Sequence, residues 1–190
     1  MPMPAKLGVY SPVEFAGQPL PAGVVADLRT DHAGEVGAVC IYKGILMFTR
    51  DSVLRDFAEH HLATEQIHLL RIKEWLPPEH FSRLLPVWRV AGFLTGALPA
   101  LFGPQAVYAT IESVETFVDL HYEAQLQDLK MHPELFRLHQ TLQACQADEI
   151  IHRDEASVAY GSLKPGFFLG IWCALVTWGS RNAVAVCRHI

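Results

Sequence analysis

Through most of the chain, apolar residues recur three and four positions apart, which is the spacing of one face of an α-helix. The strict alternation of apolar and polar residues that marks β-strands is not evident, so the pattern predicts an all-α fold. Prolines and glycines mark the boundaries between the helices. Six helices are predicted, at about residues 23–50, 52–75, 86–98, 104–131, 133–160 and 167–178.

Two of these helices have no polar face. The uncharged segment 90–111 is as long as a membrane span, but Pro99 and the Gly103–Pro104 pair interrupt it. The segment 165–180 is too short for an ordinary span. Together they account for the high mean hydropathy of +0.18, and we expect neither to cross a membrane. The third and sixth helices are therefore expected to lie outside a four-helix bundle formed by the others.

The sequence Glu-x-x-His occurs on two of the four bundle helices. Residues three apart share one face of a helix, so Glu65 and His68 can be directed at one point, and so can Glu149 and His152. Chance alone would give roughly 0.6 such pairs in a chain of this composition, so two pairs are weak evidence by themselves. Each half of the chain, however, also carries a glutamate on the preceding long helix. A glutamate from each of two helices and Glu-x-x-His from each of the other two form the ligand set of ferritin-like di-iron or di-manganese bundles.

The charges of this set favour two divalent ions. Four carboxylates bring a charge of −4, which two Fe(II) ions neutralise, while two neutral imidazoles complete the coordination. Hard oxygen ligands favour iron or manganese over zinc. The predicted fold is therefore a ferritin-like four-helix bundle with two additional apolar helices.

Spacing leaves one ligand open on the fourth helix and gives several neighbours no firm role. Glu112 and Glu115 are three residues apart, and either can face the site. Tyr122 lies two turns beyond Glu115 on the same face, whereas His121 points about 100° away. His32 precedes Glu35 by three residues and is expected to support the site without binding metal.

Charge and cysteine content exclude other classes of protein. A formal net charge of −5 and a pI near 6.0 argue against nucleic-acid binding, which needs a basic face. The four cysteines are scattered, which favours neither a disulfide framework nor a thiolate metal site and indicates a reducing compartment. The N-terminus has no charged start followed by an apolar core, so a cytoplasmic protein is expected.

Five segments in order resemble the signature segments of the demethoxyubiquinone hydroxylase family: "DHAGEVGA", "EQIH", "PVWRVAGFLTGA", "SVETFVDLHYEAQL" and "DEIIHRDEA". The resemblance runs from about residue 29 to 160. It implies a di-iron enzyme that uses O₂ to hydroxylate a polyprenylated methoxy-methyl-benzoquinol in ubiquinone biosynthesis. The chain departs from the family at Ile45, where a glutamine is usual, and its segment from Pro165 is only loosely similar.

The resemblance also assigns residues. It selects Glu115 over Glu112 and places His121 and Tyr122 near the substrate or in electron delivery. The implied iron ligands are Glu35, Glu65, His68, Glu115, Glu149 and His152. The domain is expected to span residues 23–190, after an N-terminal extension of residues 1–22.

Several partners and a location follow as expectations. The reductant is expected to be NADH or the quinol itself. A substrate with a prenyl tail places the protein peripherally on the cytoplasmic face of the inner membrane, docked by its third and sixth helices. There Trp172 and Trp178 suit the interface, and Arg181 and Arg188 suit anionic headgroups. The alternative for these helices is a homo-oligomer interface. A lipid-binding partner and a ubiquinone-biosynthesis complex are further candidate partners.

Two other functions compete with the hydroxylase. A ferritin-like protein for iron storage or detoxification would use the same six ligands, but its subunits should be hydrophilic, which the two apolar segments are not. A metal-free helical interaction protein would leave its carboxylates solvated.

Overall fold

The computed structural model describes residues 14–15, 18–161 and 165–190, and it consists almost entirely of helices. The helices are α1 Ala22–Phe48, α2 Ser52–Lys73, α3 Leu85–Ala100, α4 Pro104–Leu129, α5 Phe136–Tyr160 and α6 Phe167–Cys187. Short 3₁₀ turns at Pro78–His80 and Pro133–Leu135 precede α3 and α5. The all-α prediction is confirmed, and most of the predicted N-terminal extension lies outside the described residues.

The helix ends differ from the predicted ends for local reasons. A small antiparallel pair that the sequence pattern did not predict, β1 Glu14–Phe15 with β2 Gln18–Pro19, precedes α1. Helix α1 ends at Phe48 because the backbone turns extended at Thr49, and the Asp51 carboxylate then caps α2 by accepting from the Leu54 amide at 2.8 Å. Helix α6 continues well beyond the predicted residue 178, and its buried last residue, Cys187, anchors that end.

The bundle consists of two helix pairs, α1 with α2 and α4 with α5, each joined by a short connection and therefore antiparallel. Buried apolar residues form two clusters, one toward each end of the bundle. The first contains Leu28, Ile72, Leu76, Leu126, Leu138, Leu142 and their neighbours. The second contains Ile41, Ile45, Leu54, Val107, Ile111, Ala156 and their neighbours. On every bundle helix the candidate ligands lie between residues of the first cluster and residues of the second, so they form one polar layer across the bundle.

A glutamine is usual at position 45 in the family that the sequence resembles, and in this structure it would lie in an apolar environment. Ile45 is fully buried and belongs to the second apolar cluster. The isoleucine is therefore a core residue of this chain, where its side chain needs no hydrogen-bond partner.

Helix α3 lies against α1 and helix α6 against α4, outside the four-helix bundle as predicted. Small residues bring α3 and α1 very close. A Cβ atom on Gly92 would overlap the backbone oxygen of Gly37, and one on Gly96 would overlap the backbone oxygen of Ile41. Glycine is needed at both positions because the two backbones are in contact.

None of the helices among the described residues combines the length and the apolar composition needed to cross a membrane.

The close contact between α1 and α3 predicts a sensitive position. Gly96→Ala should lower the free energy of unfolding by about 1–3 kcal/mol, because the new methyl group forces the helices apart. Gly170→Ala in α6 is the control, because a Cβ there meets nothing within 4 Å. It should be neutral or stabilising by up to about 1 kcal/mol. Urea unfolding measures both, and a neutral Gly96→Ala variant would show that the helices are not in contact.

Candidate metal centre

The polar layer contains two groups of potential metal ligands that share two members. In the first group, donor atoms of Glu35, Glu65, His68 and Glu149 lie within 4.8 Å of one another. In the second, Glu65 and Glu149 are joined by Glu115 and His152, again within 4.8 Å. All six residues are buried. The six residues expected from the sequence are therefore together, and the arrangement fits two adjacent ions with Glu65 and Glu149 between them.

Contacts with two carboxylates hold the imidazole ring of His68 with its Nδ1 atom toward the centre of the layer. Its Nδ1 lies 3.0 Å from Glu149 Oε1, and its Nε2 lies 3.0 Å from Asp148 Oδ2. A carboxylate on the far nitrogen orients a metal-binding imidazole and raises its basicity. Asp148 was not identified from the sequence, although an acid directly before a predicted ligand was an available signal.

His152 is supported by a buried histidine that the sequence reasoning also missed. His152 Nδ1 lies 3.1 Å from both Glu65 Oε1 and Glu149 Oε2. The ring of His61 lies against it, with centroids 4.1 Å apart, and His61 Nε2 is 3.1 Å from Glu155 Oε2. His61 precedes Glu65 by one helical turn on the same face, and that i, i+4 spacing was the signal that could have found it.

Two buried tyrosines hold the two unshared glutamates. The Tyr122 hydroxyl donates to Glu35 Oε1 at 2.6 Å, and the Tyr42 hydroxyl donates to Glu115 Oε1 at 3.4 Å. Tyr122 therefore lies beside the candidate site, as its spacing from Glu115 indicated, but it contacts the glutamate of the other helix pair. Tyr42 was not predicted.

Two neighbouring candidates lie away from the ligand groups. Glu112 is half-buried and accepts a hydrogen bond from Ser157 Oγ at 3.0 Å, so it faces α5 outside the polar layer. His32 is buried and stacks on Phe81 with centroids 3.6 Å apart. It belongs to neither ligand group and packs beside the site.

The protonation of the layer shows how strongly these carboxylates need positive charge. Burial, together with neighbouring carboxylates, raises the pKa of Glu35 and of Glu115 well above 4.5. Burial also pushes the pKa of Glu65 up, but the close contacts with the His152 and His68 imidazoles outweigh it and hold that pKa at about 2. Burial opposes the charged form of His152, yet the ion-pair contacts with Glu149 and Glu65 raise its pKa to about 10. These carboxylates therefore need positive charge from protons or from bound cations.

Unpartnered atoms in the layer fit such ions. Glu35 Oε2, both carboxylate oxygens of Glu65 and Glu149 Oε2 are buried, and their contacts with His68 and His152, 3.1–3.8 Å long, lack the alignment of a hydrogen bond. Buried polar atoms usually have partners, and a cluster of unpaired acceptors is costly unless a cation binds them. The residues present therefore suit two divalent ions.

A cavity of about 590 Å³ leads to this layer between α1, α3, α4 and α6. Glu35, Glu65, Glu115 and Glu149 border it, and most of its wall is apolar. The wall includes Ile41, Val87, Trp88, Phe117, Trp172 and Leu175. His121 and Tyr122 border the same cavity. An apolar cavity with a few polar groups at one place is typical of a site for an organic ligand.

The raised pKa of Glu115 predicts a pH-dependent effect on the metal-free protein. A carboxyl group whose pKa is higher folded than unfolded contributes stability below its ordinary pKa, and this stability is lost as the pH rises through the folded value. Glutamine does not ionise, so the Glu115→Gln variant does not lose this stability as the pH rises. The variant should match the wild type near about pH 4 and exceed it by about 1 kcal/mol or more near about pH 8.

Urea unfolding of the chelator-treated protein at the two pH values measures this difference. Glu112→Gln is the control, because it makes the same change on the same helix outside the polar layer and keeps an acceptor for Ser157. Equal effects of the two variants would contradict the buried, uncompensated position of Glu115.

The chain matches one protein family over most of its length. The family described as "Ubiquinone biosynthesis protein COQ7" matches residues 24–187. The chain is similar to a 3-demethoxyubiquinol 3-hydroxylase of Rhodospirillum rubrum, with 33% identity over 82% of this chain and 80% of the relative. It is 30% identical to a Caenorhabditis elegans protein named NADPH-dependent 3-demethoxyubiquinone 3-hydroxylase, mitochondrial, over 86% of this chain and 88% of that one. It is also 30% identical to the mitochondrial 5-demethoxyubiquinone hydroxylase of Saccharomyces cerevisiae, over 85% and 72%. The extent of the family match and these identities show that the chain belongs to the COQ7 family of ubiquinone biosynthesis proteins.

Proposed function

We propose that this chain hydroxylates a polyprenylated 3-demethoxyubiquinol at a two-iron centre, with O₂ as the source of the oxygen atom. The observation that carries the proposal is the pair of ligand groups sharing Glu65 and Glu149 beside an apolar cavity. The names of the relatives support the reaction, since each describes a hydroxylase acting on a demethoxyubiquinone or demethoxyubiquinol.

Glu65 and Glu149, which belong to both ligand groups, would be shared by the two ions. Glu35 and His68 would hold one ion, and Glu115 and His152 would hold the other. Four carboxylates balance two Fe(II) ions, and oxygen-rich ligands tolerate Fe(III) as well. Bound non-haem iron supplies the reaction with O₂ that side chains cannot perform themselves.

The residues around the ligands position them and exclude water. Tyr122 and Tyr42 hold Glu35 and Glu115 by hydrogen bonds. Asp148 orients the imidazole of His68. The two apolar clusters above and below the layer keep bulk water from it, which strengthens each of these electrostatic contacts.

The cavity suits a substituted benzoquinol with an apolar tail. Its wall provides aromatic surfaces from Trp88, Phe117 and Trp172, against which a flat ring can stack. Val87 of α3 and Val186 of α6 also line it, so the two outer helices form the walls along which a prenyl tail can extend. All six helices contribute ligands or walls, and we therefore treat residues 23–190 as one domain.

A reduced nicotinamide is the electron source that the comparisons favour. The nematode relative is named NADPH-dependent, which supports a nicotinamide over electrons from the quinol alone. Of the two reductants expected from the sequence, NADH and the quinol, this proposal therefore keeps the reduced nicotinamide.

Iron storage fits the site less well. An iron-storage protein needs polar access for ions, whereas the cavity that reaches the ligand layer in the described part of the chain is bordered mostly by apolar side chains. A metal-free interaction protein fits least, because all four carboxylates are buried, not solvated.

We further propose that the outer face of α3 and α6 rests on a membrane surface, on the cytoplasmic side in a bacterial cell. Val87, Val90 and Leu94 of α3 are exposed, as are Phe168 and Trp178 of α6. Both helices border the cavity, so a lipid-embedded tail would enter directly from the bilayer. The C. elegans and S. cerevisiae relatives are named mitochondrial, which leaves the membrane itself open for this chain.

Two residues expected at that interface have other roles. Trp172 is half-buried, lines the cavity and donates its indole N–H to Thr110 Oγ1 at 2.9 Å. Arg188 forms an ion pair with Asp27 of α1. The expectation placed both at the surface because the sequence does not fix the rotation of α6 against α1 and α4. Trp178 and Arg181 are exposed as expected.

The reaction is tested by quinone profiling in a strain that lacks the gene. The strain should accumulate the demethoxy quinone and lose ubiquinone, and the wild-type gene should restore it. Glu115→Ala should not restore ubiquinone, because one ion loses its own carboxylate, whereas Glu112→Ala should restore it fully. An unchanged quinone pool in the deletion strain would exclude the hydroxylase function, and restoration by Glu115→Ala would exclude this ligand assignment.

Flotation with liposomes of anionic phospholipid tests the membrane surface. Phe168→Glu with Trp178→Glu should lower the bound fraction at least about tenfold, since two large apolar side chains leave the interface. Val53→Glu with Val158→Glu is the control, because both valines are exposed on α2 and α5 away from α3 and α6. Equal flotation of the two double variants would place the docking surface elsewhere.

A further inference from the structure

A polar cluster lies in the cavity wall one helical turn from Glu35. It consists of Thr30 and Asp31 of α1 with His121 and Gln125 of α4. Thr30, Asp31 and His121 border the cavity, whereas Gln125 does not border it and contacts Asp31 and His121. Asp31 and Gln125 are buried, whereas the His121 side chain is 16% exposed. The histidine is therefore the member of the cluster with the best access to a bound molecule.

The amide of Gln125 can have only one orientation. Its Nε2 lies 2.7 Å from Asp31 Oδ1. An ionised carboxylate only accepts hydrogen bonds, so a flipped amide would bring two acceptor oxygens together at that distance. The amide nitrogen therefore faces Asp31 and donates one of its two hydrogens to it.

The second hydrogen of the Gln125 amide determines which ring nitrogen of His121 carries a hydrogen. Gln125 Nε2 also lies 2.8 Å from His121 Nε2. A bond at this distance requires that His121 Nε2 carry no hydrogen, because two N–H groups would otherwise meet. A neutral imidazole with an unprotonated Nε2 carries its hydrogen on Nδ1.

Two oxygen atoms compete with Gln125 as hydrogen-bond partners of His121 Nε2. Thr30 Oγ1 lies 3.1 Å and Asp31 Oδ1 3.3 Å from His121 Nε2, and either oxygen could accept a hydrogen from it. Both distances are longer than the contact with Gln125, and that tautomer would set the histidine N–H against the amide N–H. The Thr30 hydroxyl hydrogen is engaged elsewhere, since it is donated to the Asp27 carbonyl at 2.7 Å.

We propose that Gln125 is a positioning residue that fixes His121 as the Nδ1–H tautomer, so that the ring offers a hydrogen-bond donor to an oxygen of the quinol ring. The identity of the ligand rests on the proposed function, whereas the tautomer does not. In a mostly apolar cavity a single fixed donor sets the rotation of a flat ring, and hence the ring carbon that faces the ligand layer.

Nitrogen NMR of the full-length protein with ¹⁵N-labelled histidine tests the tautomer directly, after chelation of paramagnetic metal. Protonated and unprotonated ring nitrogens have well-separated shifts, and a His121→Asn sample identifies the His121 signals. The wild type should have Nδ1 protonated, and Gln125→Met should move the hydrogen to Nε2. Gln127→Met is the control, because Gln127 is exposed on the same helix and donates to Glu123. A wild-type Nε2–H, or an unchanged tautomer in Gln125→Met, would overturn the proposal.

Binding of a short-chain benzoquinone tests the contact with the ring. Trp88 and Trp172 line the cavity, so their fluorescence reports occupancy. Gln125→Met should weaken binding about tenfold, the effect of one lost hydrogen bond in a buried site, and Gln127→Met should leave it unchanged. Equal affinity in the two variants would overturn the ring contact. Absence of binding to the wild type would instead contradict the proposed substrate and leave the tautomer to be judged by NMR alone.

Discussion

Four carboxylates buried side by side in an apolar bundle require compensating positive charge, and most of this structure is arranged around that requirement. Glu35, Glu65, Glu115 and Glu149 are at most 4% exposed, where an uncompensated charge is strongly destabilising. Two histidines, two tyrosine hydroxyls and protons compensate them in part. The remaining unpaired oxygens call for cations. A layer of this kind can be accommodated only between well-packed apolar regions, and the two clusters on either side provide them.

The same layer needs access for a substrate without access for bulk water, and the two outer helices meet both needs. Helix α3 lies on α1 through Gly92 and Gly96, so close that no side chain fits between the backbones. Helix α6 is held to α4 by the bond from Trp172 to Thr110 and to α1 by the ion pair of Arg188 with Asp27. Between these attachments the apolar cavity reaches the candidate ligands, while most of its wall is apolar.

The sequence predicted the parts of this arrangement that depend on local pattern. Prolines and glycines set the helix boundaries, and the two Glu-x-x-His pairs with a glutamate on each preceding helix predicted the residues that the structure brings together in the polar layer. Helical spacing gives the face of a residue but not its neighbour on another helix. It could therefore not show that Glu65 and Glu149 are shared, or that Tyr122 contacts Glu35 across the bundle. Tyr42 and Gln125 were missed for the same reason, whereas Asp148 and His61 lie beside predicted ligands on their own helices and could have been found from the sequence. Trp172 was misplaced because the rotation of α6 depends on tertiary contacts.

In the proposed enzyme, Glu65 and Glu149 lie between two iron ions in the middle of the bundle. Anomalous diffraction from crystals of the iron-loaded protein, measured at the iron absorption edge, tests this arrangement most directly. Two separate peaks should occur in the polar layer, each within bonding distance of both Glu65 and Glu149, one beside Glu35 and His68 and the other beside Glu115 and His152. A single peak, or iron bound outside the layer, would contradict this account.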